Sequence, residues 1–212
     1  MENKEHVWHK EVISRQVERS LGDLRDLGVL DRCYLAGGTG LALHLGHRRS
    51  QDLDFFSSEK VEPETLIQKL QMLPGFALVA KSTETLHATF HGIKISFLGY
   101  SYPLLFPLES FLRVPIADPR DIACMKLSAI AGRGTRRDFV DLYVVASQYG
   151  LRQVLGWFKQ KYAQANYSLL HILKSLTYFE DAEKDPMPDM IESIDWEAVK
   201  QFFSREVPHL LS

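Results

Sequence analysis

The sequence predicts an α+β protein, with a mixed α/β half over residues 1–115 and a mostly helical half over residues 116–212. Three observations carry that reading. Alternating strand-like runs, such as Ile93-Lys94-Ile95-Ser96-Phe97, occur only in the first half. His91-Gly92 between two such runs marks a hairpin. From Asp118 onward apolar residues recur at helical spacing instead.

Residues Trp8 to Leu27 read as the first helix, since Val12, Ile13, Val17, Leu21 and Leu24 fall at helical spacing. Gly28 follows the last periodic residue and is the expected stop, while Gly22 weakens the final turn. A strand over Arg32 to Ala36 runs into a glycine turn, a short helix spans Thr39 to Leu45, and a strand spans Asp52 to Phe56. Pro63 to Leu70 is a helix with proline in its first turn, where a missing N–H costs nothing. Phe76 to Ser82, Leu86 to Phe90 and Ile93 to Tyr100 are strands. After Pro103 and Pro107 the texture turns helical. Asp118-Pro119-Arg120-Asp121 is a helix start, with Asp118 as cap, and that helix is expected to reach Ile130 and stop at Gly132-Arg133-Gly134. Thr135-Arg136-Arg137-Asp138 has the same form, with an acid three residues after the cap, and its helix should bury Phe139, Leu142, Tyr143 and Ala146. Further helices are expected over Leu151 to Tyr162, Tyr167 to Phe179 and Trp196 to Phe203.

At 212 residues and 45% hydrophobic, the chain can bury a proper core. A formal charge of −2 excludes a chain that is basic throughout but allows a local basic patch. Cys33 and Cys124 sit in apolar stretches without metal-ligand spacing and are expected as reduced core thiols, which suits a cytoplasmic protein. Met1 to His6 has no apolar leader character, and no apolar run approaches membrane-spanning length.

The chemistry concentrates in Tyr34-Leu35-Ala36-Gly37-Gly38-Thr39 and Gln51-Asp52-Leu53-Asp54-Phe55-Phe56. Side chains alternate faces along a strand, so Asp52 and Asp54 share one face while Leu53 and Phe55 take the other. Two like charges side by side are best tolerated around a hard divalent cation, and oxygen ligands suit Mg²⁺. Gly37 and Gly38 permit close backbone approach at a helix start, which suits phosphate, and Thr39 can add a hydroxyl or cap the helix. Together with the basic segment Arg48-Arg49-Ser50, these residues read as a metal–nucleoside triphosphate site. Lys126 sits on a half-apolar helix face between Ile122 and Ile130, either snorkelling to water or reaching the triphosphate. Asp138 is either a simple capping-box acid or a site residue, and Asp141 lies one helical turn on. Arg133, Arg136 and Arg137 with Arg48 and Arg49 would form a phosphate-binding rim if they converge. His44 and His47 read as helix surface rather than ligands.

These residues resemble the nucleotidyltransferase toxins of the AbiEii/AbiGii type, within the DNA polymerase β-like nucleotidyltransferase superfamily. The matching pieces are Leu35-Ala36-Gly37-Gly38-Thr39, Arg48 to Phe56, Ala117-Asp118-Pro119 to Lys126, and Arg136 to Leu142, in the expected order. The resemblance implies a minimal nucleotidyltransferase mixed sheet with flanking helices, followed by a C-terminal helical bundle. It implies Mg²⁺, a nucleoside triphosphate, transfer to an RNA end (tRNA first) or to a protein, and a cognate antitoxin or phage-defence setting. Asp52, Asp54, Lys126 and Asp138 would be its catalytic residues, and Asp52 and Asp54 its metal ligands. Gly37, Gly38, Thr39, Arg48, Arg49 and Ser50 would bind nucleotide. The superfamily usually places a third carboxylate on a neighbouring strand, where this chain has Ser96 beside Lys94. A nucleotide-binding or regulatory module without chemistry is therefore the first rival reading. An interaction protein with an acidic strand face is the second.

Overall fold

The computed structural model describes residues 6–210, so the Met1–Glu5 part of the N-terminal stretch read as lacking a leader lies outside it. Seven strands form one mixed sheet: β1 (Tyr34–Leu35), β2 (Leu53–Ser57), β3 (Phe76–Lys81), β4 (Thr85–Phe90), β5 (Ile93–Gly99), β6 (Glu109–Phe111) and β7 (Val114–Ile116). Their order across the sheet is β3-β4-β5-β2-β1-β7-β6. The β4–β5 hairpin turns on His91 and Gly92 with φ of 51° and 76°. Both are left-handed, as a two-residue turn matching the strand twist requires.

The register of β2 against parallel β5 positions the chemistry. Leu53 pairs with Ile95, Asp54 with Ser96 and Phe55 with Phe97. Leu53, Phe55, Ile95 and Phe97 are fully buried and pack with Val17, Leu21 and Leu24 of helix α1 (Arg15–Asp26). The Phe55 and Phe97 rings stack 5.3 Å apart, and truncating either costs about 3–5 kcal/mol. On the opposite face Phe56 meets Tyr34 and Tyr100, where the sheet joins the helical half.

That half comprises α4 (Pro119–Arg133), α5 (Arg136–Tyr149), α6 (Leu151–Lys161), α7 (Leu169–Ser175) and α8 (Trp196–Glu206), while α2 (Gly37–Leu45) and α3 (Pro63–Leu70) belong with the sheet. Asp118 caps α4 by accepting from the Arg120 N–H at 2.8 Å, and Thr135 with Asp138 forms the expected capping box on α5. Asp121 and Lys161 form a buried pair at 2.7 Å. The Leu105 and Phe106 N–H groups also donate to Asp121, and Lys161 donates to the Pro103 carbonyl, so no polar group of the pair is left unmatched. Among the described residues no helix is long and apolar enough to cross a membrane.

Several expectations need correction. The helix expected from Trp8 starts at Arg15, because the Ser14 side chain accepts from the Val17 N–H and caps it there. Lys10–Val12 is instead a separate 3-10 turn, tied down by His9 N–H to Leu43 O at 2.9 Å and Ser50 N–H to Val12 O at 3.0 Å. The stretch after Pro107 is not helical: β6 and β7 form a short hairpin turning on left-handed Leu112 and Arg113, and β7 runs parallel to β1. Strands of three residues are too short to display alternation. The helix expected over Tyr167 to Phe179 is only Leu169–Ser175, since Ser168 caps it by accepting from the His171 N–H. His44 and His47 are not surface residues; they are 6% and 0% exposed, because α2 is enclosed by the sheet, α4 and α5. Lys126 is not snorkelling; its buried amine contacts two carboxylates.

Candidate active site

The site grows from the junction of β2 and α2. Gly37 and Gly38 form the first turn of α2, and no side chain caps it. Gly37 has φ of 62°, and a Cβ there would lie 2.8 Å from Asp54 Oδ2. A Cβ at Gly38 would collide with the Arg48 guanidinium. The two glycines thus make room for an acid and a base of this chain as well as leaving amides open at a helix start. The Thr39 hydroxyl is buried; it donates to the Asp52 carbonyl and lies 2.8 Å from the Ser50 hydroxyl. It therefore ties α2 to the segment that carries Asp52.

A cleft of about 190 Å³ brings Asp52, Asp54, Gly38 and Ser50 together with Lys126 and Asp138 from the helical half. Arg48, Thr135 and Arg137 complete its lining. Two adjoining cavities of about 280 and 440 Å³ extend it, and Arg137 lines all three. A cavity of about 570 Å³ lies elsewhere, between Gly28–Cys33 and Ser57–Lys69, where the acids Asp31, Glu59 and Glu62 are interspersed with Arg32, Lys60 and Lys69.

Beneath the cleft, Asp141 is a buried hub. Arg48 grips it with two hydrogen bonds, of 2.7 and 2.9 Å, and His47 Nε2 lies 2.9 Å away. The Lys126 amine bridges Asp141 at 2.8 Å and Asp138 at 2.9 Å. Asp138 also accepts from the Thr135 hydroxyl at 2.7 Å. Burial alone would push the Asp141 carboxyl up. Lys126 and Arg48, with hydrogen bonds from Arg48 and His47, outweigh it and hold the group well below the usual carboxylate range. The same two acids keep Lys126 firmly protonated against its own burial.

Asp54 is in the opposite condition. Burial pushes its carboxyl up, and Asp52 adds to the shift. The Ser96 hydrogen bond and the charge of Lys126 offset this only in part. The Ser96 hydroxyl is also 3.1 Å from His87 Nδ1 on the next strand. Asp52 has Arg137 at 3.7 Å and also feels the charge of Arg48. Two adjacent acids with little positive charge around them are a donor set suited to a hard divalent cation.

The structure brings Asp52, Asp54, Gly38, Arg48, Ser50, Lys126 and Asp138 to one cleft. It sets Gly37 and Thr39 just behind the wall. Arg49 lines the adjoining cavity, its N–H donating to Asp189 O at 2.7 Å and its side chain 3.2 Å from the Asp189 carboxylate. Arg136 leaves the rim for the carbonyls of Ala182 and Glu183 and the face of Trp196. Sequence reasoning underweighted Asp141 and His47. Their signal was an acid and a histidine on helix faces that apolar neighbours mark as buried, which demands partners.

Comparison with known proteins decides the family. A family described as nucleotidyl transferase AbiEii toxin, type IV toxin–antitoxin system, matches residues 19–104 and 93–210. The chain belongs to this family. It is 38% identical over 205 residues to an uncharacterized protein of Aquifex aeolicus strain VF5, covering 94% of this chain and 98% of that one. The solved structures that share the fold of this AbiEii-family chain include a toxin and a resistance factor. MenT4, a nucleotidyltransferase toxin of Mycobacterium tuberculosis, superimposes with a TM-score of 0.55 at 16% identity, over 92% of this chain and 87% of that one. The antibiotic-resistance factor ANT(2'')-Ia does so with a TM-score of 0.53 at 13% identity, over 70% and 92% of the respective chains. The mixed sheet and the helices behind it are thus a nucleotidyltransferase fold, as expected.

Proposed function

We propose that this AbiEii-family toxin uses Mg²⁺ to transfer a nucleotide from a nucleoside triphosphate to an RNA end, tRNA first, or to a protein acceptor. One observation carries the reading: Asp54 keeps undercompensated charge beside a second acid, Asp52, on one wall of a cleft whose floor pairs Asp138 and Asp141 with Lys126 and Arg48. Asp52 and Asp54 would hold the ion. Bound there, Mg²⁺ would neutralise charge on the phosphates and orient attacker and leaving group. The open amides at the start of α2, around Gly38, together with Arg137, bind phosphate. Gly37 and Thr39 keep Asp54 and Asp52 in place, and Arg48, Arg49 and Ser50 shape the cleft and its extension. Lys126, held between Asp138 and Asp141, faces the departing pyrophosphate and stabilises its charge. The acceptor hydroxyl bonds to the α-phosphorus, the bond to pyrophosphate breaks, and the hydroxyl proton passes to solvent in the open cleft.

The family's type IV toxin–antitoxin description supports a cognate antitoxin as partner, and dependence on nucleoside triphosphates supports a cytoplasmic setting. Incubation with each α-labelled triphosphate, Mg²⁺ and total RNA, followed on gels, tests the proposal. Label should enter RNA or a protein band and vanish with Asp54→Asn. A second reading, nucleotide binding without transfer, rests on Ser96 where a third acid would stand. Saturable Mg²⁺–triphosphate binding with no pyrophosphate release under any acceptor would select it.

A further inference from the structure

We propose that His6 and His44 bind a zinc-class divalent cation at a site separate from the Asp52/Asp54 cleft, with Glu109 orienting His6. The hydrogen-bond directions lead to this. His44 Nε2 lies 3.0 Å from the Ala117 carbonyl, which can only accept, so Nε2 carries the hydrogen and Nδ1 a lone pair. His6 Nδ1 lies 2.9 Å from the Glu109 carboxylate, which also only accepts, so its hydrogen sits on Nδ1 and its lone pair on Nε2. The two remaining nitrogens, His6 Nε2 and His44 Nδ1, face each other at 3.0 Å. Two lone pairs that close require a cation between them.

A metal ion satisfies both nitrogens at once. Bonds of about 2.0–2.1 Å at tetrahedral angles separate two ligand nitrogens by roughly 3.3 Å, a small opening of the pair. Each imidazole already has the outer partner that metal-bound histidines use, a carboxylate for His6 and a backbone carbonyl for His44. One donor atom from each of His6, His44 and Glu109 lies within 4.8 Å of the others, with Glu109 beside His6 Nδ1 as its outer partner, so water completes the coordination. Trp8 packs on both rings, at 4.3 and 4.6 Å between centroids, and walls the site on one side. Imidazole nitrogens select zinc, cobalt or nickel over magnesium or calcium.

The site does not overlap the cleft. His44 follows Gly37 by seven residues on α2, about 10 Å along the axis. Loading would staple the N-terminal segment to α2 and β6, and with it Val12, whose carbonyl accepts the Ser50 N–H beside the cleft.

The test is titration of the whole chain with Zn²⁺ by calorimetry and with Co²⁺ by visible absorption. One equivalent should bind, with cobalt bands of a four- or five-coordinate site. His6→Ala, at an exposed position, should abolish it, and Glu109→Gln should weaken it at least about tenfold. The Asp52→Ala, Asp54→Ala double variant should keep both stoichiometry and spectrum, which separates this site from the nucleotide reading. Absence of saturable binding would overturn the proposal, as would binding undiminished by His6→Ala or lost in the double aspartate variant. Circular dichroism on each variant ensures that lost binding is not lost folding.

Discussion

Asp141 is fully buried and Asp54 half-buried in the same part of the molecule, yet one is bonded to Arg48, Lys126 and His47 while the other has a serine, a second acid and only the offsetting charge of Lys126 and His87. In the first network Asp141 meets Arg48 and Lys126 at hydrogen-bond distance, and His47 Nδ1 is left as a buried nitrogen without a partner among the described residues. The second is left short of positive charge where the protein could have supplied it. The difference separates a charge cluster that joins the two halves from the one that we propose receives the cation. The sequence marks both with the same residue type, and only their partners tell them apart.

Removing the hub should have the largest effect. Asp141→Ala leaves Arg48 and Lys126 buried without their shared acid, and about 3–5 kcal/mol of stability should be lost. Urea denaturation measures it, and a loss below about 1 kcal/mol would erase the distinction between the two regions. Acid should act through the same group. The Asp141 contribution is full above the ordinary value of 3.8 and is lost as pH falls through its depressed native value.

Asp54→Asn should do the reverse. Transfer should drop by roughly 10²–10³-fold, while the fold keeps or gains stability. The sign follows from the raised native value: ionised Asp54 penalises the folded state once pH passes 3.8, and the penalty is complete above the native value. Wild type and variant should therefore melt alike at the acid end, with the variant pulling ahead as pH rises. Mg²⁺ should close that gap by stabilising the wild type alone. If Mg²⁺ shifts both melting points equally, Asp54 is not part of the ion's site.

Ser96→Asp sharpens the comparison further, by adding a carboxylate directly across the register from Asp54. Transfer should survive and the Mg²⁺ concentration for half-maximal rate should fall, while stability in chelator should decline. A dead variant with intact Mg²⁺–nucleotide binding would instead make the serine hydroxyl indispensable. The smallest effect is expected from Arg137→Gln. Its partner Asp52 is 3.7 Å away and both side chains are about half exposed, so stability should change by less than about 0.5 kcal/mol. KM for the triphosphate should rise several-fold, because Arg137 lines the cleft and both extensions.

Local signals made much of this legible in the sequence. The caps at Asp118 and Thr135, the His91-Gly92 turn and the same-face pair Asp52 and Asp54 depend on neighbours within a few residues, and the structure has each as read. What escaped depends on distant partners. Asp141 meets Arg48 from 93 residues away and His47 from 94, and no periodicity encodes such a pairing. His44 and His47 read as polar punctuation on a short helix until α4 and α5 close over it. The β6–β7 hairpin escaped for the opposite reason: each strand is too brief to leave a pattern, and β7 gains its identity only by lying beside β1.

The strap that crosses Arg48 and Arg49 sets a timetable for the cleft. Arg49 meets Asp189 across 140 residues of chain, with Met190 bridging Arg48 and the Ile191 N–H donating to His47 O at 2.9 Å. At about 5–20 residues per second on the ribosome, roughly 7–28 s separate the synthesis of the two sides. Asp52 and Asp54 emerge first, the lysine and hub aspartate follow, and the segment that fastens the basic edge arrives after all of them. A translation product truncated before Asp189 would carry Asp52 and Asp54 without the finished cleft, so the basic edge is fastened only once Asp189, Met190 and Ile191 have been made.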